Sequence, residues 1–145
     1  MKNLNKIFAV LIAVLFVTSC STDFDEINSN HTNVIGFTLS ATLELPLSEN
    51  NPEINFPLPY FVSNSSTSER TFQVSVVEEE SGLSPDSYSF DATVVVPANE
   101  RSGQLVFNAY NINLTNEYTP LVLAFDSTSE IATGNKMYIA LRTND

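Results

Sequence analysis

From residue 34 onward, apolar and polar residues exchange places at nearly every step, in short runs separated by turn-forming clusters. Phe37, Leu39, Ala41, Leu43 and Leu45 alternate with Thr38, Ser40, Thr42 and Glu44. Successive side chains of a strand point to opposite faces, so such a run buries one face and wets the other. Pro46 and the cluster 48–52 end it. Phe56, Leu58, Tyr60 and Val62 alternate again, but Pro57 and Pro59 share that run. Proline has no N–H for a ladder, so the stretch reads as an edge strand or an extended arm. Further strands are expected over 71–77, 88–96, 102–110, 119–126 and 136–142. Between them lie a turn at 64–69, a polar loop at 78–87, a turn at 98–101 after Pro97, an asparagine-rich loop at 111–116 and a loop holding Gly134. Seven short strands without a helical period predict an all-β fold, a two-sheet antiparallel sandwich of about seven strands. Its core is expected to hold Phe37, Leu39, Leu43, Phe72, Val74, Val76, Leu105, Phe107, Leu121, Leu123, Phe125, Ile139 and Leu141.

The first nineteen residues have a different character. Lys2 and Lys6 precede an unbroken apolar run of eleven residues, 7–17, which leads into Val17-Thr18-Ser19-Cys20. A basic start, a short apolar run and a small-residue site make a secretory signal. The run is too short for a bilayer core, which takes about 20 residues. The quartet resembles a bacterial lipobox. That resemblance implies cleavage before Cys20 and lipid on Cys20, and so an anchor in a membrane. The expected division is a lipoprotein signal peptide over 1–19, a lipidated cysteine and acidic tether over 20–33, and a β-sandwich domain over 34–145. The tether is polar and aperiodic; its thirteen residues 21–33 reach roughly 40 Å when extended. Asp23, Asp25 and Glu26 resemble the acidic export tag of Bacteroidetes surface lipoproteins, which implies a surface-exposed location on the outer membrane. Cys20 is the only cysteine, so no internal disulfide can form; a free thiol is the alternative to lipidation.

Lys2 and Lys6 leave with the signal. Arg70, Arg101, Lys136 and Arg142 then face seventeen acids, for a net charge of −13. Such a chain is repelled by nucleic acid and by anionic headgroups. The acidity is also what keeps an exported domain soluble.

The region 69–127 resembles the Calx-beta type of immunoglobulin-like sandwich, in the version found in Bacteroidetes surface lipoproteins of unknown function. The residues that carry this are Arg70-Thr71-Phe72-Gln73-Val74-Ser75-Val76, Asp86-Ser87-Tyr88, Val96-Pro97-Ala98-Asn99-Glu100-Arg101-Ser102-Gly103 and Pro120-Leu121-Val122-Leu123-Ala124-Phe125. In the same region, Gly103 is expected to let the chain re-enter a strand after the turn. Calcium-binding members of the family carry an acidic run before the strand that matches 119–125. Here that approach is Leu114-Thr115-Asn116-Glu117-Tyr118, with one acid, so the resemblance does not imply a metal.

Enzyme chemistry finds little to work with. The only histidine, His31, lies in the tether, so Ser-His-Asp arrangements have no base in the domain. Glu78, Glu79 and Glu80, with Asp86 and Asp91 nearby, could offer oxygens to calcium, or could simply solvate a loop; no metal and no cofactor is expected. Tyr110, Asn111, Asn113, Asn116 and Tyr118 flank one loop and are candidate glycan contacts, although asparagine also makes turns and tyrosine also caps core edges. There is no tryptophan to strengthen the sugar reading. Asp126-Ser127-Thr128 resembles the O-glycosylation acceptor of Bacteroidetes exported proteins, which would place sugar on Ser127. The expected role is that of a non-enzymatic accessory or adhesion-type module binding a glycan or a partner protein; the alternative is a structural spacer or assembly subunit with no small-molecule ligand.

Overall fold

The computed structural model describes residues 33–145. The signal, Cys20, the acidic tag and His31 lie outside the described residues. Ten strands form two five-stranded sheets. The first sheet has the order β5 (Tyr88–Phe90), β7 (Ser102–Tyr110), β3 (Glu53–Val62), β1 (Asn33–Phe37), β9 (Ile131–Thr133). The second has the order β2 (Leu43–Leu47), β10 (Met137–Thr143), β8 (Thr119–Phe125), β4 (Arg70–Val76), β6 (Thr93–Val96). The sandwich is the one expected, with an immunoglobulin-like architecture.

Ten strands replace the expected seven for three reasons. The run 34–45 is two strands: β1 stays in the first sheet, residues 38–42 cross over, and β2 joins the second. The run 88–96 divides in the same way, with β5 and β6 in opposite sheets. The short β9, inside the loop expected around Gly134, was not visible as a strand. The sheets are also not wholly antiparallel, because β1 pairs with β9 and β2 with β10 in parallel. A chain that switches sheets keeps its direction, and β2 therefore meets β10 running the same way.

β3 corrects the edge-strand reading. It is the middle strand of its sheet and pairs with β7 from Glu53 through Phe61. The prolines fit because of which way the backbone faces. Val62 donates its N–H toward Arg101 on the β7 side, 2.7 Å, whereas Ser63 donates to Val34 O on the β1 side, 2.8 Å. Odd-numbered residues of β3 therefore address β1. β1 pairs only with residues 60–62, and Pro59 O takes one last bond from Thr38 N at 3.0 Å. Pro57 and Pro59 thus withhold their missing N–H from a stretch that has no partner.

The core lies between the sheets. Phe125 packs on Phe37 with ring centres 4.9 Å apart, and Tyr60 meets it edge-on at 5.4 Å. Ten of the thirteen expected core residues are buried; Leu39, Leu43 and Val76 are only partly so, because Leu39 lies in the crossover, Leu43 opens β2 just after it and Val76 ends β4. Ile35, Leu47, Leu58, Val62, Val96 and Met137 are among the other buried side chains.

Candidate functional site

The residues expected to contact a glycan are divided between the two sheets. Tyr110 ends β7 and its hydroxyl shares a hydrogen bond with Ser89 Oγ, 2.9 Å, on the outer face of the first sheet. Tyr118 precedes β8 of the second sheet, is 37% exposed, and lies under the Arg142 guanidinium, 4.8 Å from the ring centre. Asn111 is used by the loop itself: its N–H donates to Pro52 O, 2.8 Å, and its amide to Asp145 Oδ2, 2.8 Å. Asn113 takes a left-handed backbone, φ 55°, which asparagine adopts more readily than most residues. Asn116 is exposed. Ser127 is exposed in the turn after β8.

A hollow forms elsewhere, around the crossover from β1 to β2. On one side of residues 38–42 an open concavity of about 390 Å³ is lined by Leu39, Ser40, Gly134, Asn135, Lys136 and Tyr138. On the other side Phe56, Thr42 and Leu43 help to line a second, of about 310 Å³, and Leu39 and Ser40 belong to both. Two glycines allow the floor. A Cβ on Gly36 would stand 2.6 Å from Asn135 N, and one on Gly134 2.9 Å from Ile35 O, so the chain at 134–135 can press against β1 only if both side chains are absent. Phe37 N to Asn135 O, 3.0 Å, and Gly134 N to Ile35 O, 2.7 Å, hold it there.

Tyr138 stands at the rim. Its neighbours Met137 and Ile139 face the core, so it faces out, 43% exposed. Beside it Lys136 is ion-paired with Glu80. The hydrogen bond to the Glu80 carboxylate holds the Lys136 ammonium above its ordinary value, with desolvation acting against it. Lys136 is thus a fixed positive donor next to the Ser40 hydroxyl and the exposed Asn135. An aromatic ring, an amide, a hydroxyl and an ammonium around an open hollow suit a hydroxyl-rich ligand. Reading the sequence overlooked this group because its members come from residues 39–40 and 134–138. The signal that was present is Tyr138 itself, an aromatic on the solvent side of a strand.

The acidic loop is a 3-10 turn, Glu78–Glu80. Glu80 is committed to Lys136. Glu78 is the carboxylate felt by Tyr88, whose hydroxyl is pushed up first by burial and second by that charge. Among the described residues no three acid, histidine or cysteine side chains converge on a point that an ion could occupy.

No family model matches the chain, and no curated protein does. Solved structures share its fold. A protein of unknown function from Bacteroides ovatus superposes with a TM-score of 0.62 at 14% identity, over 75% of this chain and 44% of that one. A candidate carbohydrate-binding protein from Bacteroides ovatus gives 0.51 at 14% identity, over 74% and 36%. The apo-form CBD1 domain of Calx gives 0.53 at 10% identity, over 79% of this chain and 99% of that one. The chain spans less than half the length of the Bacteroides ovatus chains it matches. The fold is therefore a Calx-beta-like β-sandwich, a class that includes modules with quite different ligands.

Proposed function

We propose that this protein is a lipid-anchored, non-enzymatic module of the bacterial outer membrane, exposed at the cell surface, whose ligand is a glycan held in the hollow beside Tyr138. The observation that carries the reading is the exposed Tyr138 ring at the rim of a concavity whose polar groups are Ser40, Asn135 and Lys136. The similarity in fold to a candidate carbohydrate-binding protein supports it. So does the chemistry around the site, which offers hydrogen bonds and an aromatic surface but no nucleophile paired with a base. The anchor rests on Val17-Thr18-Ser19-Cys20, and the surface location on Asp23, Asp25 and Glu26.

Two measurements test it. Metabolic labelling with a fatty-acid analogue should mark the protein, and Cys20→Ala should lose the label and leave the membrane fraction or remain uncleaved; label persisting in that variant overturns the anchor. The full chain in detergent should bind members of a glycan array, and Tyr138→Ala should weaken that binding about tenfold, equivalent to about 1.4 kcal/mol. A structural spacer would bind no glycan, and a glycan site elsewhere would leave Tyr138→Ala unchanged.

A further inference from the structure

We infer that Glu80 decides which sugars the hollow beside Tyr138 accepts: by pairing with Lys136 it admits uncharged sugars and turns away those that carry a carboxylate or a sulfate. The inference rests on the glycan reading of that hollow and adds the class of glycan. Lys136 is the only cation among the residues that line the two concavities. Alone it would draw anionic sugars, because an ammonium is a compact point charge. It is not alone. Its Nζ is ion-paired with Glu80, whose hydrogen bond acts on it most strongly, and the Glu79 charge acts on it as well. One cation against two carboxylates leaves this part of the rim with a negative balance. The other cations of the domain are engaged elsewhere: Arg70 with Asn64 and Glu100 O, Arg101 with Val62 O, and Arg142 with the Tyr118 ring.

The pair is held in place by the backbone around it. The loop that carries Glu80 is stitched to β8, the neighbour of β10 in the second sheet. Val77 N donates to Val122 O, 2.8 Å, and Gly82 N to Pro120 O, 2.9 Å. Val122 N donates to Ser81 Oγ, 3.0 Å, which in turn donates to Val77 O, 2.8 Å. Val122 lies opposite Tyr138, so these bonds fix Glu80 beside the strand that supplies the rim. The pair then acts in two ways. An ammonium has three N–H groups, and those not given to Glu80 remain for sugar hydroxyls, as charge-assisted donors. A sugar carboxylate gains no new ion pair, because it must displace Glu80 or approach both acids.

The test is a glycan array probed with the full chain in detergent. It holds neutral oligosaccharides beside counterparts that differ by an acid: galactosides beside galacturonides, glucosides beside glucuronides, and glycans with and without sialic acid. The neutral member of a bound pair should bind at least about tenfold more tightly. Glu80→Gln removes the charge and leaves the turn its backbone bond, Glu80 N to Val77 O, 3.0 Å. It should move the ratio of anionic to neutral affinity at least about tenfold toward the acid, and that gain should shrink as salt rises from about 0.05 to about 0.5 M. In a Lys136→Met background Glu80→Gln should move the ratio far less, because no ammonium is uncovered. Tighter binding of the acidic members by the unaltered chain, or a ratio that Glu80→Gln does not move, overturns the inference; the glycan reading survives that result if Tyr138→Ala still weakens binding. An array with no bound glycan, or binding indifferent to Tyr138→Ala, overturns the glycan reading, and the inference falls with it.

Discussion

Gly103 shows how one residue can do a different job from the one its type suggests. A glycine after a turn invites the reading that the chain needs its backbone freedom, but Gly103 has no positive φ. It sits directly opposite Tyr60, and the tyrosine hydroxyl and ring occupy the space where a Cβ would go. The ring is thereby free to lie in the core against Phe125 and to reach Val95 O, 3.4 Å. Gly103→Ala should push the ring aside and cost about 1–3 kcal/mol, the usual penalty of overpacking; urea unfolding measures it, and a neutral result would mean the ring is not confined. Asp145 makes a residue-scale prediction for pH. Its carboxylate accepts from Glu49 N, 2.9 Å, Thr143 Oγ1, 2.9 Å, and Asn111 Nδ2, 2.8 Å. The Glu49 bond is the chief reason that its proton affinity drops below the ordinary value of 3.8. A folded value below the unfolded one adds stability that is present above the unfolded value and is lost as pH falls through the folded one. Between about pH 5 and pH 2, Asp145→Asn should therefore flatten the acid decline of the melting temperature. Identical declines would remove Asp145 from the account.

At the scale of elements, four strands stand where the alternation put them. β4, β7, β8 and β10 match the runs 71–77, 102–110, 119–126 and 136–142 to within a residue. Each stays in one sheet for its whole length, so period two and the flanking turn residues describe it completely. β1 and β2 do not. Their run has one unbroken period, and no local signal says that residues 38–42 leave one sheet for the other. The prolines of β3 misled for a related reason. Proline marks a missing donor, but whether that donor was needed depends on where β1 ends. Register can be checked on β4. Phe72 is 7% exposed, faces the core and carries the Arg70 guanidinium over its ring at 5.7 Å. Phe72→Ala should cost about 3–5 kcal/mol in denaturant unfolding. A cost below about 1 kcal/mol would mean the strand is out of register by one residue, which turns every side chain to the other face.

At the scale of the whole molecule, the acids of the loop at 78–91 do not converge on one point. Glu80 is paired with Lys136, Glu78 lies toward Tyr88, and Asp86 and Asp91 are exposed. A ligand that binds only the folded state raises stability by RT ln(1 + [L]/Kd). Melting in about millimolar calcium and in chelator should coincide, because no group of acids among the described residues converges to add that term; a rise of several degrees with calcium and not with magnesium would make the acidic loop a metal site.

The sandwich could be read from the chain because alternation, prolines and turn residues act on their nearest neighbours, and the side-chain period of two follows from the backbone alone. The resemblance to a lipobox is equally local, being carried by consecutive residues that end at Cys20. The hollow could not be read in that way. Tyr138 and Ser40 line one hollow although about two thirds of the chain separates them, and Asn108 comes to lie between Asn55 and Ser89 only through the registers of β3, β7 and β5. Sheet membership and register are settled by which apolar faces can be buried together, and that is a property of the packed molecule rather than of any segment in it.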